Sequence, residues 1–328
     1  MTWQVPHSAP TTGADELAAV ARVLESGHLA QGRETAAFEE ACAAIVGRAH
    51  GVAVNSGTSA LHLALEAVGV AEGDRVLMPS YGCAALSTAV TLSRAIPELA
   101  DVDDYFNLAP SNSDANFAVV PHLFGAVATL PSNPLVIEDI AQSIGGPSGR
   151  KGVAAIASFY ATKLVTTGEG GMVLTDDEGL AEAVRDRRDY DNRDDFARRY
   201  NYKLTDLQAA VGRAQLSRLA GFIARRRMIA AAYDEAFRAF PMRLPSGREH
   251  IYFRYVVMTS ERERLESHLQ ARGIEAKRPV YRPAHHYFGN HYPMAERAHD
   301  EAVSIPIFPA MRDEQVDVVI RAVREFWP

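Results

Sequence analysis

A lysine, a serine and an aspartate stand at spacings that could hold one aldehyde cofactor. Ser158-Phe-Tyr-Ala-Thr-Lys163 runs into Gly168-Glu-Gly-Gly171, and Val136-Ile-Glu-Asp139 lies just upstream. Lys163 offers an amine for a Schiff base if burial makes it lose its proton near neutral pH. Ser158, five residues earlier, offers a hydroxyl to a phosphate. Asp139, at the carboxyl end of an apolar run, can keep a pyridine nitrogen protonated and the ring an electron sink. Those three contacts are what pyridoxal phosphate requires. A lone lysine is usually a solvated surface group, so the argument rests on the set.

A second phosphate element is Asn55-Ser-Gly-Thr-Ser-Ala60, a turn between an apolar run and a helical pattern. Gly57 would let an anion approach the backbone, where free N–H groups and the helix dipole favour it. The Thr58 and Ser59 hydroxyls could add hydrogen bonds. Taken alone, the same turn reads as an ordinary capped helix start. Glu138 neighbours Asp139 on a strand, so only one of the two can point inward. His122, in Val120-Pro-His-Leu-Phe-Gly125, is either a site residue at a strand end or a core histidine bonded to backbone. His285, His286 and His291 lack acidic or cysteine partners at ligand spacing, which argues against zinc and against any metal site. Arg185 to Arg199 mixes arginines with aspartates, as a solvated helix face and loop do, and some of these arginines could meet a diphosphate.

These residues need a scaffold. Short apolar runs at Gly51–Asn55, Arg75–Pro79, Ile96–Val102, Phe117–Leu123, Leu135–Glu138, Ala155–Tyr160 and Gly171–Thr175 read as strands, with helical patterns at Ser59–Val68 and Ala84–Leu92. That alternation predicts an α/β fold with a mostly parallel sheet covered on both faces. A long helix is expected from Thr205, where Thr205-Asp-Leu-Gln208 forms a capping box, toward Phe237. Pro241, Pro245 and Gly247 mark a break, dividing residues 1–240 from a small α+β domain over 241–328. That domain reads as a strand at Tyr252–Thr259, a helix at Glu261–Arg272 stopped by Gly273, a strand at Ile274–Val280, and a last helix from Asp313 with Val316, Val319, Ile320 and Val323 on one stripe.

Composition narrows the partners. The chain has 328 residues, 47% hydrophobic and 23% charged, with a net charge of -7, so attraction to nucleic acid or an anionic membrane surface is not expected. No apolar run approaches the ~20 residues that span a bilayer, and the start has no basic and apolar leader pattern. Cys42 and Cys83 have no paired or metal-type spacing, as in a reducing cytoplasm.

With these motifs in order, the chain resembles the DegT/DnrJ/EryC1/StrS family of pyridoxal-phosphate-dependent sugar aminotransferases over nearly its whole length. Gly27-His-Leu-Ala-Gln-Gly32 with Phe38-Glu39 matches the opening pattern. Asn55–Leu65, Val136–Gln142, Ser158–Lys163 and Gly168–Gly171 match the cofactor motifs. Asn201–Gly212 matches the late motif, and Ser304-Ile-Pro-Ile-Phe-Pro309 the C-terminal one.

The resemblance implies a fold of the aspartate-aminotransferase type, a seven-stranded mostly parallel sheet with a small C-terminal domain. It implies that Lys163 forms the Schiff base and moves the proton, Asp139 pairs with the ring nitrogen, and Gln142 meets the ring-hydroxyl side. Gly57, Thr58, Ser59 and Ser158 would hold the phosphate. Asn201 would reach the phosphate in a neighbouring subunit, which implies a homodimer with shared sites. The implied reaction takes an amino group from L-glutamate to a keto sugar, nucleotide-linked in most of the family, or to a cyclitol ketone. The chain departs from the family at Tyr81-Gly82-Cys83, where Cys83 stands in place of an aromatic that stacks on the ring; Tyr81 and His122 are the alternatives for that face. The stretch between Gly125 and Pro134 is also compressed. Two other readings are a sugar dehydratase, against which Lys163 counts because that branch carries histidine there, and a non-catalytic pyridoxal-phosphate sensor.

Overall fold

The structure is a computed structural model and describes residues 3–247 and 249–327. Two helices, α1 (Ala14–Ser26) and α2 (Arg33–Val46), precede the sheet. Then come β1 (His50–Val54), α3 (Gly57–Ala67), β2 (Arg75–Pro79), α4 (Ala85–Leu92), β3 (Ile96–Ala100), β4 (Phe117–Pro121), β5 (Leu135–Asp139), β6 (Ala154–Ser158) and β7 (Gly171–Thr175). Helix α5 (Glu178–Arg187) and the long α6 (Asp206–Phe237) follow. The remainder holds β8 (Tyr255–Met258), α7 (Arg262–Ala271), short α8 (His285–Phe288), α9 (Pro293–Glu301), β9 (Ala302–Ile305) and α10 (Asp313–Phe326).

The seven strands form one sheet in the order β1-β7-β6-β5-β4-β2-β3, with β7 antiparallel to both neighbours and the other pairs parallel. The carboxyl ends of β1, β2, β4, β5 and β6 therefore share one edge, where open α/β sheets bind ligands. Alternate residues feed opposite cores. Val52, Val54, Ile137, Ala154, Ile156 and Val173 pack under α3, α4 and α5. Ala53, Ala155, Ala157, Met172 and Leu174 pack against α2 and the first half of α6. A third core gathers Ile229, Tyr233 and Phe237 of α6 with Val5, β8, β9, α7 and α10. Helix α6 is thus shared by both halves.

Two sequence motifs far apart in the chain meet where α6 starts. Thr205 caps it as expected: its Oγ1 accepts the Gln208 N–H at 3.3 Å and the Gln208 Oε1 accepts the Thr205 N–H at 3.2 Å. The next residue, Asp206, caps a different helix. Its carboxylate accepts N–H bonds from Gly32 at 2.8 Å and Thr35 at 2.9 Å, and a hydroxyl bond from Thr35 at 2.7 Å, at the start of α2. Further on, a Cβ at Gly212 would fall 2.5 Å from the Phe38 ring, so only glycine lets α6 lie this close to α2. The opening and late motifs are the two halves of one helix contact.

The second small-domain strand is not where the sequence reading placed it. Ile274–Val280 makes single bridges, Ile274 to Val5 and Lys277 to Ser304, while the partner of β8 is β9 at Ala302–Ile305. Ile274 and Lys277 serve different neighbours, so no ladder propagates between them. Tyr252–Thr259 is likewise cut to Tyr255–Met258, because Tyr252 has φ 54°. No helix among the described residues is long and apolar enough to cross a membrane.

Candidate active site

Helix α3 opens the site. Its cap is Ser56, a residue the sequence reading passed over, whose Oγ accepts the Ser59 N–H at 3.0 Å and sits 2.8 Å from the Ser59 Oγ. The Ser59 hydroxyl therefore already has a protein partner. The first turn begins at Gly57, hard against the end of β6: a Cβ there would lie 2.7 Å from the Ser158 Cβ and 3.1 Å from its Oγ. Gly171, at the start of β7, backs the same turn, since its Cβ would fall 2.7 Å from the Gly57 nitrogen. The first turn of α3 thus lies directly against Ser158, and its Gly57 and Thr58 N–H groups have no acceptor among the described residues.

Asp139 closes β5 on the same sheet face as Ile137, beneath α3, with one oxygen accepting the Ala141 N–H at 2.9 Å. Burial raises its pKa, while Lys163, that N–H and His122 pull the other way. Lys163 sits past the end of β6, partly buried, with its Nζ 5.3 Å from the Phe253 ring centre and without a hydrogen-bond partner among the described residues. Burial lowers its pKa, the negative charges of Asp139 and of a Cys83 thiolate would raise it, and Arg254 lowers it further. The net direction is down, toward a free amine.

Glu138 points to the other face, as the strand alternation requires. It is 1% exposed and accepts from Gly149 at 2.8 Å and from Lys151 and Gly152 at 2.7 Å each. His122, also buried, stands 2.9 Å from it through Nε2. Because the His122 Nδ1 accepts the Ala128 N–H at 2.9 Å, its Nε2 carries the proton and donates to Glu138. Burial pushes the Glu138 carboxyl up, but the bonds from His122, Gly152 and Gly149 outweigh that and bring it to about 2. With both ring nitrogens engaged, His122 is tied to the end of β5 through Glu138.

Tyr81 is fully buried, its ring 5.9 Å from Phe106. Cys83 is exposed, and a thiolate there would be felt at Lys163. The loop before α8 packs on the same turn, the Ala284 N–H donating to the Ser80 carbonyl at 2.7 Å.

The Gln142 Oε1 accepts the N–H of Phe124 at 2.8 Å, a buried residue with φ 59°. Its amide NH2 has no acceptor among the described residues. Asn201 is exposed; its carbonyl takes the Asn55 amide at 3.4 Å, and its side chain has no partner among the described residues. The arginines between Arg185 and Arg199 largely face carboxylates: Arg188 meets Glu39 at 2.6 Å, Arg198 meets Glu66 at 2.7 Å and Arg199 meets Asp186 at 3.0 Å. Among histidines, His291 bonds Glu296 at 2.5 Å, while the His285 and His286 rings touch each other at 4.5 Å.

The arrangement has counterparts. A family model described as the DegT/DnrJ/EryC1/StrS aminotransferase family matches residues 10–324. The chain belongs to this family. It is therefore an enzyme of the aminotransferase class. The chain is 34% identical to GDP-perosamine synthase of Caulobacter vibrioides, over 89% of this chain and 90% of that one. It is 31% identical to a UDP-N-acetyl-3-dehydro-alpha-D-glucosamine 3-aminotransferase of Acidithiobacillus ferrooxidans, over 97% and 95%. Among solved structures, the aminotransferase TlmJ from Streptoalloteichus hindustanus superposes with a TM-score of 0.90 at 29% identity, covering 98% of each chain. DesV of S. venezuelae, solved in complex with a ketimine intermediate, gives 0.88 at 32% identity over 95% and 94%. The seven-stranded architecture is thus the family's own.

Two contributors escaped the sequence reading. Phe253, beside Lys163, and Arg254, whose charge Lys163 feels, come from a segment some ninety residues downstream and carry no local motif. Only the fold brings them to the sheet edge.

Proposed function

We propose that this enzyme is a pyridoxal-phosphate-dependent transaminase that moves an amino group from L-glutamate to a ketone on a nucleotide-linked sugar. The observation that carries the proposal is the Lys163 amine: partly buried, free of a hydrogen-bond acceptor, biased toward its neutral form, and in the field of Asp139. The residues fit the cofactor. The turn at Gly57 leaves no room for a side chain on the Ser158 side, and its free N–H groups suit a phosphate. Asp139 keeps one oxygen uncommitted for a cationic ring nitrogen, and the Gln142 NH2 can donate to a ring hydroxyl.

Pyridoxal phosphate, when bound, supplies an aldehyde for amine exchange and a ring that accepts electrons from the neighbouring carbon. Gly57, Thr58, Ser59 and Ser158 anchor it at the phosphate. Asp139, in a site that burial makes poorly hydrated, holds the ring proton in place. Lys163 would hold the group through its Nζ, and the same Nζ, when free, would move a proton between substrate atoms. Cys83 leaves one side of this space less filled than an aromatic would.

The unpartnered, exposed Asn201 supports a homodimer in which it completes the neighbouring subunit's phosphate site. A cytoplasmic setting accords with two unpaired cysteines. The names of the relatives support a nucleotide-linked sugar as acceptor. The test is to incubate the holoprotein with L-glutamate, follow the loss of the visible band and the appearance of 2-oxoglutarate, then add a panel of nucleotide keto sugars and identify aminated products by mass. A band that persists in glutamate contradicts the proposal.

A further inference from the structure

Two guanidiniums and the reactive amine surround one aromatic ring. Around Phe253 lie the Lys163 Nζ at 5.3 Å, the Arg254 guanidinium at 4.9 Å and the Arg226 guanidinium at 5.8 Å. Ring quadrupoles favour nearby cations, but they do not neutralise two guanidiniums. Arg226 is sealed into the fold: its Nη1 donates to the carbonyls of Tyr252 at 3.2 Å, Phe253 at 3.0 Å and Ile307 at 2.9 Å, while its Nε is buried without a partner among the described residues.

Arg254 is different. Its Nη1 meets the His7 ring, and no carboxylate among the described residues comes within 4 Å of it. Its Nε and Nη2 have no acceptor among the described residues, yet they are not among the sealed polar atoms that lack one. His7 offers no counter-charge. Burial, helped by Arg254, Lys277 and Arg226, holds its pKa well below the ordinary value, so the ring is neutral. Its Nε2 is placed 2.8 Å from the Ser304 Oγ, and its backbone N–H donates to Glu275 at 2.8 Å. The Arg254 backbone is fixed as well, its N–H donating to the carbonyl of Phe124 at 3.2 Å, one peptide from the group bound by Gln142. The Glu275 charge reaches the Arg254 guanidinium from beyond 4 Å and is already bonded to the His7 N–H; a guanidinium held rigidly, partly open and without a paired carboxylate among the described residues is costly unless a ligand brings one. Its planar fork matches a carboxylate.

We propose that Arg254, presented by His7 against Phe253, binds a carboxylate of the amino-acid donor and so sets the enzyme's preference for it. The inference rests on the transaminase reading. His7 is a positioning residue, holding the fork without competing for the anion.

The test uses holoprotein and two probes. Maleate, an unreactive dicarboxylate, is titrated calorimetrically into wild type, Arg254→Met and Arg254→Lys. L-glutamate is then used in single turnover. Losing a charge-assisted pair corresponds to about a 10- to 100-fold weakening. The expected result is a fall of that size in maleate affinity for Arg254→Met, and a matching rise in the glutamate concentration needed for half the limiting rate, with the limiting rate changed far less. Arg254→Lys, keeping the charge without the fork, recovers part of both. If wild type ignores maleate, or if Arg254→Met matches wild type toward both probes, the inference is overturned. If wild type binds maleate through Arg254 yet never converts glutamate, the carboxylate site stands and the transaminase reading falls.

Discussion

Gly57 and Ser158 approach so closely that a methyl group on residue 57 would stand 2.7 Å from the Ser158 Cβ, well inside van der Waals contact. The contact joins the first turn of α3 to the end of β6, the two elements of the proposed phosphate cradle. Gly57 has no left-handed backbone angle, so alanine is not excluded by conformation. In a free helix alanine would be preferred to glycine by about 1 kcal/mol. Gly57→Ala is nevertheless expected to weaken cofactor binding about 10-fold or more, as the turn shifts off Ser158. Equilibrium dialysis of pyridoxal phosphate measures this, and unchanged affinity would show that the turn is free to move.

Asp139 and Lys163 predict a pH dependence. Burial places the amine's pKa below its ordinary 10.5, while the Asp139 charge holds it up. Raising the pH deprotonates the lysine, so reconstitution of apoprotein should speed up through an inflection below 10.5. In Asp139→Asn the supporting charge is gone, and the inflection moves lower still. Rates of reconstitution across a pH series decide it; an inflection that rises in Asp139→Asn would reverse the assigned roles.

Glu138 predicts acid sensitivity. Its folded-state pKa, about 2, lies below the ordinary 4.5. The stability it contributes is full above pH 4.5 and is lost as the pH falls from there toward 2. Glu138→Gln places an NH2 group among three N–H donors and is expected to cost about 3 kcal/mol near neutral pH. Its stability should also vary less with pH in that window. Denaturant midpoints at pH 7 and at a series of lower values check both statements.

The Asp206 cap gives a prediction remote from chemistry. Asp206→Ala removes the acceptor for the Gly32 and Thr35 N–H groups and for the Thr35 hydroxyl. An N-cap is worth about 1 kcal/mol, and this one also joins α2 to α6. A loss of about 2 kcal/mol in denaturant unfolding is expected, with the spectrum of bound cofactor retained. A much smaller loss would mean that solvent replaces the cap.

The sheet was legible because each strand is a short apolar run bounded by polar turns, and alternation along β5 separated Glu138 from Asp139. The start of α6 was legible to the residue, since a capping box is a local signal. What escaped depends on neighbours remote in sequence. Ile274–Val280 has strand composition, but it has one bridge partner on each of two sides and so forms no ladder. Helices α1 and α2 went unread although their glycine-bounded ends at Gly13, Gly27, Gly32 and Gly47 are present. Arg254 was invisible: nothing in Tyr252-Phe-Arg-Tyr255 says that its guanidinium meets His7, nearly 250 residues away, next to Lys163.

Borohydride reduction of the holoprotein, followed by peptide mass mapping, tests the central claim most directly, because it fixes the cofactor carbon onto whichever amine holds it. The expected outcome is a single reduced pyridoxyl-phosphate adduct on Lys163, absent in Lys163→Ala. An adduct on another lysine, or a wild-type Lys163 that stays unmodified while the cofactor is bound, would contradict it.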